Sequence, residues 1–146
     1  MFRGRFEHTI DSKGRVSVPA KFREILAEKG DDRVMITNLN GCLVAYPYEE
    51  WKRMEERMSS QSTGKKDARA FRRFYISAAV ELTIDKLGRI LIPPTLRSYA
   101  QLEKDVIFAG MIETFEIWSK ERFTEEIRKV EENSDGMNET FAALGL

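Results

Sequence analysis

Fifteen residues of this chain are written nearly twice. Thr9 to Arg23 reads TIDSKGRVSVPAKFR, and 74 residues further on Thr83 to Arg97 reads TIDKLGRILIPPTLR. Seven of the fifteen positions are identical, and three more exchange one apolar side chain for another. Internal repetition constrains architecture more than any local propensity, because each copy has the same apolar face to bury. The match continues beyond the motif. VMITNLNGCLVAYPYEEW (34–51) aligns with VIFAGMIETFEIWSKERF (106–123) at an offset of 72, pairing Val34 with Val106, Ile36 with Phe108, Leu43 with Phe115, Tyr46 with Trp118 and Trp51 with Phe123. The change of offset is a two-residue difference in the connector after the motif.

Each copy reads as a ββαββα unit. FEHTI and VELTI alternate with period two and carry β-branched residues, which predicts strands. A D-x-x-G turn follows, then a second short strand, RVSV or RILI. Pro19 and Pro93 suit the first turn of a helix, where a missing N–H costs nothing. AKFREILAEKG places Phe22, Ile25 and Leu26 on one face, with Gly30 to end the helix. VMITN and CLVAYP predict a second hairpin with N-L-N-G as its turn, and PYEEWKRMEERM an amphipathic helix through Trp51, Met54 and Met58. VIFAG, TFEIWS and ERFTEEIRKVEE repeat that order. The chain therefore divides into a first half (1–60), a basic helical linker (61–76) whose Phe71, Phe74 and Tyr75 form an apolar stripe, a second half (77–132) and a C-terminal tail (133–146). Two ~50-residue units, each marginal alone, bury their faces on one another with pseudo-two-fold symmetry.

The 146 residues carry 24 basic and 24 acidic side chains, so global charge gives no reason to invoke a polyanion. Its distribution does. Residues 1–23 hold six basic residues against two acidic, residues 64–76 five against one, and residues 121–139 three against seven. A neutral chain can still carry a basic face. One cysteine, Cys42, excludes an internal disulfide and a zinc cluster. No apolar run reaches the ~20 residues that span a bilayer and the N-terminus has no signal-peptide core, so the expected site of action is the cytoplasm.

The turn residues divide by chemistry. Gly14 and Gly88 supply the positive φ such a turn requires. Asp11 and Asp85 are placed to accept turn N–H groups and to pair with Arg15 and Arg89. Arg15 and Arg89, aimed outward by that pairing, can grip a phosphate or fork onto guanine O6 and N7. Lys13 and Lys86 add mobile charge near the tips. The bland alternative is a solvated turn charge with a weak ion pair. Arg3, Arg5, Arg23 and Arg97 are further candidate DNA contacts, with helix-end or ion-pair roles equally open for the last two. Trp51, Trp118 and the phenylalanines follow core spacing rather than base stacking.

With the duplicated D-x-x-G-R-[VI]-x-[VI]-P-x-x-[FL]-R in view, the chain resembles the MraZ family of bacterial transcriptional regulators over nearly its whole length. The resemblance implies an α+β, β-rich fold of two tandem AbrB/SpoVT-like units forming a pseudo-two-fold swapped-hairpin barrel with flanking helices. It also implies double-stranded DNA with short repeated sites as partner, the promoter of the division and cell-wall gene cluster as target, and nucleoid association. Ring-like homo-oligomers, such as an octamer, belong to the same expectation. The family's Asp-x-x-x-Arg signature falls on Asp11–Arg15 and Asp85–Arg89.

An enzyme is not expected. His8 has no orienting partner in sequence, Cys42 sits in an apolar run, and no glycine loop is spaced to cradle a phosphate. No metal, cofactor or small-molecule ligand is indicated. The competing reading is an antitoxin-like protein-interaction module whose tail, SDGMNETFAALGL, folds on a partner. RNA is a lesser option, because the turns lack stacking aromatics.

Overall fold

The computed structural model describes residues 1–61 and 64–146; of the basic linker, residues 62 and 63 lie outside the described residues. The first half runs β1 (Arg5–Thr9), β2 (Arg15–Ser17), α1 (Ala20–Glu28), β3 (Arg33–Leu39), β4 (Cys42–Pro47) and α2 (Tyr48–Ser59). After α3 (Lys66–Tyr75), the second half runs β5 (Val80–Thr83), β6 (Arg89–Leu91), α4 (Pro94–Ala100), β7 (Asp105–Gly110), β8 (Phe115–Ser119) and α5 (Lys120–Glu132), and α6 (Ser134–Ala143) follows.

Both motif turns close, yet the strands flanking each turn pair elsewhere. β1 pairs with β7, β5 with β3 and β2 with β6, all antiparallel and all between the two copies. Only β3–β4 and β7–β8 are local hairpins. The expected motif hairpin is thus exchanged, each copy lending its strands to the other. The ladders form a six-stranded sheet in the order β1-β7-β8-β4-β3-β5 and a separate two-stranded ribbon, β2-β6. The sheet is open in its hydrogen bonding, with β1 and β5 as its edges.

Register fixes the symmetry. In the ribbon Val16 faces Ile90, its own repeat counterpart, and in the sheet Val44 faces Glu116, its own counterpart. Residues that face their own counterparts lie on a two-fold axis, so the pseudo-dyad passes through both pairs. Alternation then sends Val16 and Ile90 into the core, beside the equally buried Val18 and Ile92. Phe22 of α1 packs on Phe2 and Phe6 edge-on, each at 5.2 Å, and on Phe115 at 4.9 Å.

Several local readings need correction. Pro19 and Pro93 stand one position earlier than expected, as N-caps of α1 and α4, with Pro94 in the first helical turn. The β3–β4 turn is tighter than N-L-N-G: only Asn40 and Gly41 lie between the strands, at φ 52° and 84°, and two successive left-handed residues match the twist of a two-residue hairpin. The two-residue difference between copies is helix length, nine residues in α1 against seven in α4. The longer helix stops at Gly30 (φ 73°), the shorter at Gln101 in the left-handed region (φ 54°). The linker stripe is only half buried. Tyr75 is enclosed, stacked between Trp51 and Phe71, and Asn38 Nδ2 donates to the Phe74 carbonyl at 3.1 Å, while the Phe71 and Phe74 rings stay 42% and 43% exposed. The C-terminal tail is a helix, capped by the Asn133 side chain accepting from Gly136 N–H.

Because β1 and β2 find their ladders only in the second copy, residues 1–61 alone should fold only by pairing with a second molecule. Their melting temperature must then rise with concentration, followed by circular dichroism; a monomeric, concentration-independent melt would contradict the exchanged pairing.

Candidate nucleic-acid interface

The two turns are built alike. At the first, Gly14 N–H donates to the Asp11 carbonyl at 3.0 Å and Asp11 N–H to the Arg15 carbonyl at 3.0 Å. Asp11 Oδ1 accepts from the N–H groups of Lys13 (3.0 Å) and Arg15 (2.9 Å), leaving Oδ2 to accept from Arg15 Nε at 2.7 Å. At the second, Asp85 Oδ1 accepts from Leu87 and Arg89 N–H, both at 2.9 Å, and Oδ2 from Arg89 Nε at 3.2 Å. The carboxylate therefore shapes the loop with one oxygen and aims the arginine with the other. The N–H of Arg15, followed by its guanidinium, holds the Asp11 carboxyl down to about 2; the N–H of Arg89 lowers Asp85 likewise. Both aspartates are thus ionised at neutral pH.

Each arginine spends only Nε on its aspartate. Among the described residues the Nη groups of Arg15 and Arg89 bond to nothing, and their side chains are 39% and 32% exposed. The ribbon brings the two together. Arg15 lies opposite Leu91 and Arg89 opposite Ser17, so all four side chains share the outward face. The Cα atoms of Arg15 and Arg89 stand roughly 8 Å apart, two residues of about 3.3 Å along and one strand spacing of about 4.8 Å across. They form one surface instead of two separate tips. Lys13 and Lys86 are exposed at its ends and, among the described residues, form no ion pair.

Arg23 and Arg97 are held against the turns. Arg97 Nε donates to the Ile92 carbonyl at 3.0 Å and Nη1 reaches the Ser12 carbonyl at 3.5 Å, in the other copy's turn. Arg23 Nε donates to the Val18 carbonyl at 3.0 Å. Each guanidinium lies beneath the opposite copy's turn glycine: a Cβ on Gly14 would meet Arg97 Nε at 2.7 Å, and one on Gly88 would meet Arg23 Nη1 at 2.6 Å. Among the described residues neither forms an ion pair with a carboxylate. Sequence reasoning left these arginines among several surfaces and missed the cross-copy lock; the one signal was that the final arginine of the motif is among its identical positions. Arg3 and Arg5 are not brought to the ribbon. Arg5 begins β1, roughly 13 Å from Thr9 at about 3.3 Å per residue, and its guanidinium lies 5.3 Å from the Phe123 ring centroid.

The cysteine and the histidine lie elsewhere. The Cys42 thiol is buried, donates to the Leu39 carbonyl at 3.2 Å and is pushed up by desolvation. His8 stacks edge-on against Phe108 and is lowered by burial, then by Arg23. Among the described residues, no group of three or more His, Cys, Asp or Glu is placed to hold a metal. No helix among them is long and apolar enough to cross a membrane.

Comparison with known proteins gives a consistent result. The family model described as "MraZ protein, putative antitoxin-like" matches twice, over residues 1–74 and 75–143. "Transcriptional regulator MraZ" of Caldanaerobacter subterraneus subsp. tengcongensis is 54% identical over 125 residues, 86% of this chain and 85% of its own. Proteins of the same name from Ligilactobacillus salivarius and Pediococcus pentosaceus are 48% and 44% identical over the full length of both chains.

Two outcomes follow from the turn geometry. Gly14 has φ +94° and its added Cβ would lie 2.7 Å from the Ile92 backbone carbonyl, whereas at Gly88 the nearest atoms belong to the flexible Arg23 side chain. Gly14→Ala should therefore destabilise more than Gly88→Ala, by about 1–3 kcal/mol against unfolding; thermal melts of both variants check the order. The depressed pKa of Asp11 means its contribution is complete above about pH 4 and disappears as pH falls towards about 2. Asp11→Asn should lose less melting temperature than the wild type over that window, and equal losses would remove the pair from the account.

Proposed function

Because the chain belongs to the MraZ family, we propose that it is a sequence-specific DNA-binding transcriptional regulator that meets duplex DNA with the outward face of the β2–β6 ribbon. The observation that carries this is the pair of aspartate-anchored arginines, Arg15 and Arg89, side by side on that face with their Nη donors unbonded among the described residues. A two-stranded antiparallel ribbon fits the B-DNA major groove, about 12 Å wide. A guanidinium fixed through Nε keeps two donors for guanine O6 and N7 or for a phosphate. Lys13 and Lys86 lie where a ribbon in the groove would meet the flanking phosphates. The relatives named as transcriptional regulators support a regulator rather than an enzyme.

The target we assign is the promoter of the division and cell-wall gene cluster, read as short repeats by neighbouring subunits of a ring-like homo-oligomer at the nucleoid. Avidity over several ribbons would multiply a modest single contact. A second reading rests on α6 and its C-cap, where Phe141 and Leu144 are 57% and 67% exposed: an antitoxin-like module would capture a protein partner there. Pull-down with and without residues 133–146 separates it from DNA binding.

Gel-shift titration with the promoter fragment tests the main reading. Arg15→Ala should cost about 1–3 kcal/mol per subunit if it reads a base, more than Arg89→Ala, whose tip carries Leu87 where the first has Lys13. Affinity should fall steeply between about 50 and 200 mM salt, and light scattering should find particles larger than the monomer. Wild-type affinity in Arg15→Ala on multi-repeat DNA would remove the ribbon as the contact.

A further inference from the structure

The outward face of the ribbon carries an apolar residue that folding does not account for. Leu91 is 56% exposed, and its strand neighbours Ile90 and Ile92 are the ones that enter the core. The register places Leu91 directly opposite Arg15, with Ser17 opposite Arg89. Directly opposed side chains in an antiparallel pair have Cβ atoms about 4.5–5.5 Å apart. Ser17 is the repeat counterpart of Leu91, 74 residues earlier. The same backbone position on the same ribbon therefore accepts a small polar side chain, and the fold itself does not call for leucine. The pseudo-dyad is broken here alone among the four outward ribbon residues, since Arg15 and Arg89 are each other's counterparts.

Resting on the DNA reading above, we infer that Leu91 is a specificity residue: it packs on the C5-methyl group of a thymine next to the nucleotide held by Arg15. Thymine is the one base that presents an apolar group in the major groove. Successive base pairs rise by about 3.4 Å, so an arginine and a leucine directly opposed across one strand spacing span a single base step. The Arg15–Leu91 end of the ribbon then reads a two-base step containing thymine. At the Arg89–Ser17 end the directly opposed residue is serine, and the exposed Leu87 sits in the turn beyond the ladder, two residues before Arg89, so this end tolerates either base at the corresponding position. A side chain that contributes little to stability in water becomes useful when the groove floor covers it.

The experiment uses the full chain and the shortest promoter fragment it retains, made once with thymine and once with uracil, which lacks only the methyl group. The wild type should bind the uracil fragment roughly four-fold more weakly for each thymine methyl that a leucine covers, the affinity equivalent of one apolar carbon removed from water. Leu91→Ser, which writes the first copy's residue into the second, should bind both fragments alike. A wild type indifferent to uracil, or a Leu91→Ser variant that keeps the full uracil penalty, overturns the assignment while leaving DNA binding intact. A variant that lowers particle mass in light scattering without changing the uracil penalty also overturns it, because a second copy would then cover Leu91. Failure of the wild type to bind either fragment removes the DNA reading itself, and this inference with it.

Discussion

The strand leaving each motif turn is hydrogen-bonded to the other copy, and every feature of the ribbon face depends on that exchange. A three-residue, two-stranded ladder is marginal in water. Here it is clamped at both ends. Ile92 N–H donates to the Gly14 carbonyl and Val18 N–H to the Gly88 carbonyl, each at 2.9 Å, so each turn also serves as the last rung of its partner's strand. Arg97 and Arg23 then fill the space under the two glycines. The glycines are required twice over, for positive φ and for room. The loop that aims Arg15 is thus held by residues of the second copy, and its geometry is set by packed elements rather than by a free hairpin tip.

Fusion of the copies into one chain has a further physical consequence. A symmetric homodimer must present identical halves; two linked copies need not. The positions that match between copies are the ones that make the geometry: the turn aspartates and glycines, the paired arginines and the locking arginines on the helices. Within the fifteen-residue motif the apolar-for-polar exchanges point outward, Lys13 against Leu87 and Ser17 against Leu91, with Leu87 70% exposed and Leu91 56% exposed. Inside, Val16 and Ile90 meet on the dyad and differ by one methylene, a change a core accommodates. Symmetry is kept where packing enforces it and released where solvent, or a ligand, is the neighbour.

How much of this was legible in the sequence follows from the range of each interaction. The existence of turns, strands and helices and the Asp–Arg pairing are set within five residues and were readable, with boundaries off by a residue or two at the β3–β4 turn and at the prolines. The partner of each strand was carried only by the family resemblance, which implied swapped hairpins, because Val16 alternates identically whether it pairs with its own β1 or with β6, and D-x-x-G chemistry closes a turn without deciding where its strands go. The locking role of Arg23 and Arg97 was hidden for the same reason: Arg97 meets Ser12 across 85 positions of sequence. Helix length was mis-assigned to a connector, since αL termination at Gln101 lacks the glycine that marks Gly30. The half-exposed Phe71 and Phe74 lay beyond periodicity, which counts apolar residues without knowing that β3 and α2 offer room for Tyr75 alone.

A chain of zero net charge can present a face suited to a polyanion only if its charges are spent unequally. Four cations on α2 and α5 are neutralised close by: Lys52 and Arg53 pair with Glu49 and Glu50, and Arg128 and Lys129 with Glu125, Glu126 and Glu132. Such pairs cancel within a few ångströms, well inside the ~10 Å screening length at 0.1 M salt. The ribbon is organised differently. Asp11 and Asp85 place negative charge beside the arginines, which weakens attraction to phosphate, but each binds only Nε. In exchange a long side chain carrying about 2 kcal/mol of rotamer entropy is ordered before any ligand arrives. That ordering is otherwise a cost of association, roughly 0.5–1.5 kcal/mol per immobilised side chain. Attraction between exposed charges is screened by salt while preorganisation is not. On the proposed DNA reading, an anchored arginine keeps its ordering at physiological ionic strength, and Lys13 and Lys86, unpaired among the described residues, would supply the long-range pull.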